Sequence, residues 1–144
     1  MSSINQQIAK RVADALIGAT PAQDGVFRDR TVPFTREETP GINVRQVREQ
    51  KERAVSGGDV ATLTLNVSIH VRGEPWTDAA DLVAVAVHRT LMADRQLADL
   101  TQGIRHSGSE WDDHDADQSA GCLTMEYEIR YAVSASDISN STIL

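Results

Sequence analysis

Leu123, Met125, Tyr127, Ile129, Tyr131 and Val133 alternate without a break with Thr124, Glu126, Glu128, Arg130 and Ala132. A period of two held that long fits a strand with one buried face and one solvated face. A second run behaves the same way: Leu63, Leu65, Val67, Ile69 and Val71 alternate with Thr64, Asn66, Ser68 and His70. Two half-buried strands need an apolar layer to cover them.

The cover is legible as two helices. Ile4, Ile8, Val12 and Leu16 recur every four residues, with Ser3 and Gln6 as a capping-box pair and Gly18 and Pro21 as the stop. Thr77 or Asp78 opens a second helix that runs to about Ala93. Leu82, Val83, Val85, Val87, Leu91 and Met92 cover more than one of its faces, which implies burial on more than one side, with a neighbouring subunit as one candidate for the second; the β-branched "LVAVAV" is the argument for a strand instead, and the caps and length favour the helix. Aspartate at Val85 or Leu91 is therefore expected to cost several kcal/mol by burying an unpaired charge, as about the price of any unpaired buried polar group.

Each long strand pairs with a partner upstream. "INVRQV" at 42–47 precedes the first, with a charged extended tip over 48–59 closed by "SGGD". Ile104 to Trp111 precedes the second. Between Gly25 and Gly41, "VF" reads as a short strand, and Pro33 and Pro40 hold the rest extended or turned. The order is helix, hairpin, helix, hairpin. It predicts an α+β fold: an antiparallel or mixed sheet of about four main strands with two helices packed on it. Residues 1–133 form one domain and 134–144 a small polar tail, mobile or laid on a partner.

Charge narrows the function. Residues 1–72 carry ten basic and eight acidic groups, and residues 73–144 carry four and thirteen. So acidic a second half disfavours nucleic-acid binding, since phosphates need cations. It permits head-to-tail packing of identical subunits, the contact that builds rings, and equally reads as acidic surface that simply keeps the protein soluble. A single cysteine, Cys122, allows no intrachain disulfide. The N-terminus lacks a signal-peptide pattern and the longest apolar run, "LVAVAV", is too short to span a bilayer, so a cytosolic chain is expected.

"EWDDHDADQSAG", 110–121, invites a metal reading, with Asp113, Asp115 and Asp117 as candidate ligands. A calcium loop needs glycine at its sixth position and glutamate at its twelfth. The frame from Asp113 meets Gln118 and Thr124, and the frame from Asp115 meets Ala120 before reaching Glu126. Both fail. The stretch reads as a solvated turn, with a divalent site or a metal-dependent hydrolase as the competing reading. His70, His88, His106 and His114 have no zinc spacing, and Cys122 has no base beside it in sequence. No metal, cofactor or catalytic group is assigned. What remains is surface. Arg45, Arg48, Lys51 and Arg53, with Glu49 and Glu52 among them, form an arm for an intersubunit or acidic-partner contact, or only a solvated salt-bridged loop.

Taken together, "IAKRVADALIG", "VFRDRTVPFTREETPGINV", "LTLNVSIHV", "TDAADLVAVAVHRTLMAD", "LADLTQGI" and "EWDDHDADQSAGCLTMEYEIRY" resemble one family. It is that of the tail terminator proteins of long-tailed phages, the lambda minor tail protein U type. The resemblance spans about residues 4–133. It implies a non-catalytic α+β protein that assembles as a hexameric ring at the head-proximal end of the virion tail. The ring caps the tail tube, ends its growth and offers the head-joining surface. The implied partners are further copies of the chain, the major tail tube protein and the head–tail connector, with assembly in the host cytoplasm. No membrane or sequence-specific nucleic-acid contact is implied. Another neck or tail-completion protein of similar fold is the nearest alternative.

Overall fold

In the computed structural model the described residues are 2–54, 57–114 and 117–141, without the side chains of 114, 117 and 118. The strands are β1 (Val26–Arg28), β2 (Gly41–Arg53), β3 (Asp59–Arg72), β4 (Gly103–His114) and β5 (Asp117–Val133). They form one sheet in the order β1-β2-β3-β5-β4. All pairs are antiparallel except β1 with β2. The helices are α1 (Ile4–Leu16), α2 (Trp76–Ala93) and the short α3 (Arg95–Leu100). The α+β expectation holds, and the sheet is mixed through its one parallel pair.

The alternating residues fulfil the pattern read from sequence. Leu63, Leu65, Val67, Ile69, Leu123, Met125, Tyr127, Ile129 and Tyr131 are all buried. α1 contacts β1 and β2, while α2 contacts β3 and β5 and also α1. The helices thus cover this apolar face, and Ile8, Val12, Leu16, Val83, Val87 and Leu91 complete the core. Arg11 of α1 donates to both carboxylate oxygens of Asp94, at 3.0 and 3.1 Å. These bonds hold the Asp94 carboxyl below the usual range, while it also accepts from Leu97 N–H to cap α3.

Two departures from the sequence reading are informative. The stretch 48–59 is not an extended tip: β2 stays in the ladder as far as Arg53, paired with Asp59. Charged side chains suit it because β1 pairs only with Ile42–Val44, so the rest of β2 is a sheet edge. A bulge at Val47 interrupts that ladder. An extra residue reverses the facing of all that follow. Gln46 opposes Leu65 before the bulge, and Glu49 opposes Leu63 after it. Glu49 therefore turns toward α1, where it accepts from Asn5 Nδ2 and meets the Tyr131 hydroxyl. It is not part of an exposed arm.

The acidic stretch is likewise mostly strand. β4 runs through His114 and β5 begins at Asp117. Trp76, in the first turn of α2, lies over Gly121, where any Cβ would overlap the indole ring. Its Nε1–H donates to Asp113 Oδ1 at 2.7 Å. Residues 134–140 turn back on the domain: Ile138 accepts from the Ile4 amide at 2.8 Å, and Asp137 caps the turn through Ser139 and Asn140.

Candidate functional site

The strand order turns a charge bias along the chain into a charge bias across the sheet. Strands from the basic half, β1 and β2, lie at one side, and strands from the acidic half, β4 and β5, at the other. Arg28, Arg45, Arg48, Lys51 and Arg53 stand on the first side against Glu49 and Glu52. Glu110, Asp112, Asp113, Glu126 and Glu128 stand on the second against Arg105 and Arg130. Lysine and arginine on an exposed edge also deter uncontrolled strand pairing.

The four arm residues do not act from one surface. Arg45 and Arg48 flank the bulge and oppose Asn66 and Thr64, on the face away from the helices. Lys51 and Arg53 oppose Ala61 and Asp59, on the helix face. Lys51 lies 3.6 Å from Glu49. Arg45 donates to the Arg30 carbonyl at 3.2 Å, which keeps it beside the 29–40 loop. Of the metal candidates, Asp113 is held by Trp76. Asp115 and the side chain of Asp117 lie outside the described residues.

That loop is tightly organised, which sequence gave no hint of. Arg30 Nη1 and Nη2 donate to Glu38 at 2.8 and 2.7 Å. Its Nε and Nη2 also donate to the carbonyls of Val32 and Pro33. The guanidinium sits 4.6 Å from the Phe27 ring centroid and 4.2 Å from that of Phe34. Asn43 bonds both the amide and the carbonyl of Arg30 at 3.0 Å, tying the loop to β2. Phe34 covers Gly41 and lies 4.5 Å from the His70 ring. The loop and the polar sheet face enclose a pocket of about 440 Å³ that includes Arg45, Arg72, His70 and Cys122. Burial pushes the Cys122 thiol up, which keeps it protonated and a poor nucleophile although His70 Nε2 is 3.7 Å away.

Arg30 hydrogen bonds, with the Thr35 amide behind them, lower the Glu38 carboxyl from 4.5 to about 2. A carboxylate with a depressed folded pKa stabilises the fold above its unfolded pKa and loses that contribution as pH falls through the folded one. Melting temperature should therefore fall more steeply for the wild type than for Glu38→Gln between about pH 4.5 and pH 2. Parallel curves would mean that the pair contributes nothing to stability.

The second surface lies between α2 and β4. Leu82, Val85 and Met92 are 69%, 47% and 44% exposed, and Trp111 is 59% exposed. The helix is apolar on two sides, as its sequence implies, but only one side is covered within the chain. Leu91, at 2% exposure, meets the expectation of burial, whereas Val85 does not. A groove of about 410 Å³ runs between Val85, His88 and Arg89 on the helix and His106 and Trp111 on the strand, with Leu123 and Met125 lining it. At this groove the buried Tyr127 hydroxyl lies 3.0 Å from His88 Nδ1, and burial raises its pKa. Among the described residues no helix is long and apolar enough to cross a membrane.

No family model matches the chain, and no curated protein matches it. Among solved structures it is similar to a chain of the "Virion of native gene transfer agent (GTA) particle". The identity is 12%, the TM-score 0.47, and the match covers 89% of this chain and 90% of that one. A likeness of this degree assigns the chain no role.

Proposed function

We propose that the protein is a structural virion component of the tail-terminator type. It forms a ring, six copies in the arrangement its sequence resemblance implies. The ring caps the tail tube, ends polymerisation and receives the head connector. The observation that carries this reading is the polarity of the sheet, with cations toward the β1–β2 side and carboxylates toward the β4 side. One surface of a copy then complements a different surface of the next, and such heterologous contacts form a ring where the rotation between copies closes. The uncovered stripe of α2 supplies apolar area of the kind found at the core of lasting interfaces.

The experiment is tail assembly with tube protein present. Wild-type protein should give tubes of uniform length. Reversing Arg45, Arg48, Lys51 and Arg53 to glutamate should leave the fold intact, since all four are exposed. It should yield overlong tubes and salt-sensitive assembly. Tubes of normal length with that variant would show that this side makes no essential contact.

A further inference from the structure

Two edges of the sheet stand open. Among the described residues no strand pairs with the outer side of β4, and none pairs with the outer side of β2 beyond Val44, where β1 ends. An open edge presents a row of backbone N–H and C=O groups that a further strand can complete. The two edges carry opposite charge. β2 from Arg45 to Arg53 holds four cations and two carboxylates, while β4 from Gly103 to His114 holds one cation and three carboxylates. On the face away from the helices these charges follow an order: Arg45, Arg48 and Glu52 along β2, and Arg105, Glu110 and Asp112 along β4. All six residues are exposed.

We infer that β4 of one copy pairs antiparallel with β2 of the next, joining the sheets of neighbouring subunits edge to edge. This inference rests on the ring reading and names its contact. Charge order selects the occupant and the register. Arg45 meets Asp112, Arg48 meets Glu110 and Glu52 meets Arg105, with the bulges at Val47 and Ser107 each passing over one residue. Opposite charges facing across a strand pair favour that register. On the helix face Glu49, Lys51 and Arg53 meet Ser109, His106 and Ile104, so with histidine neutral no charge faces its own sign. A parallel joint would set Arg45 against Arg105 and Glu52 against Asp112. Two copies of β2 centred on Gln50 also match Arg48 with Glu52, but they bring two net cationic strands together and leave β4 bare. Strand sense points the same way. β2, β3, β5 and β4 alternate in direction, so β2 and β4 run opposite ways. An antiparallel joint therefore keeps every copy in one sense, as a ring requires, whereas a parallel joint inverts each successive copy. The joint also brings α1 of the next copy, which lies over its own β2, beside the uncovered stripe of α2.

Charge exchange tests it. Arg48→Glu and Glu110→Arg are made singly and together, and self-association is followed by sedimentation with and without tail tubes. Both residues are exposed, so each variant should keep its melting temperature. Either single variant alone should associate at least tenfold more weakly than the wild type. The double variant should recover, and so should an equimolar mixture of the two single variants, in which each altered edge meets the other. Loss with Arg48→Glu but not with Glu110→Arg means that β2 pairs with itself, the converse means that β4 does, and either result overturns the joint. Two weakened variants that do not recover when mixed show that the residues do not face each other, which also overturns it. If both single variants form normal rings that no longer seat on tube ends, the edges serve the tube protein and the inference fails. Normal rings that seat normally in both overturn the joint while the ring stands. A wild-type chain that stays monomeric with and without tubes overturns the ring reading and this joint together.

Discussion

Trp76→Ala should destabilise the fold by about 3–5 kcal/mol, the range for removing a large aromatic from a core. The indole is only 7% exposed, covers Gly121 and donates to Asp113. Its loss opens a cavity and frees the end of the β4–β5 hairpin from α2. Trp76→Phe keeps most of the volume and loses the hydrogen bond, so it should cost less, on the order of 1–2 kcal/mol. Urea unfolding followed by circular dichroism separates the two. Equal, small losses would mean that the acidic hairpin does not depend on this anchor.

The second large effect is a contrast within one helix. Leu91→Asp places a carboxylate at a site 2% exposed and should unfold the chain, at a cost of about 3 kcal/mol or more. Val85→Asp places the same group where exposure is 47%, and should shift stability by only about 0.5 kcal/mol. It should nonetheless abolish self-association, because the charge would be buried at the interface. Thermal melts paired with light scattering check both. If Val85→Asp assembles like the wild type, the exposed stripe of α2 is not a subunit contact.

Much of the fold was legible because β3, β5 and α1 are each buried on one face only. Burial of one face writes its period directly into the residue order. Edge strands are written less clearly. β4 faces solvent along most of its length, so Glu110, Asp112 and Asp113 could stand in the ladder yet read as a loop. The second half of β2 is disguised in the same way, by Arg48, Lys51 and Arg53. The Val47 bulge left one trace: a lone valine between Gln46 and Arg48, out of phase with Ile42 and Val44.

The candidate surfaces were legible only in part. The doubly apolar α2 pointed to a second covered side, and the uneven charge of the two halves pointed to opposed surfaces. The order β1-β2-β3-β5-β4 was needed to make those surfaces opposite edges. The clasp of Arg30 and Glu38 was invisible, since nothing in a sequence marks which of many charges will pair across a loop. The four arm cations looked like one patch, and the strand register sets Arg45 and Arg48 on one face and Lys51 and Arg53 on the other.

The proposed function calls for a closed ring of identical subunits built from unlike surfaces. Electron microscopy of the purified protein, with and without tail tubes, tests it most directly when combined with a native mass. Rings of six copies are expected, seated on tube ends when tubes are present. A monomer under both conditions, or a symmetric dimer that pairs like edges, would contradict it.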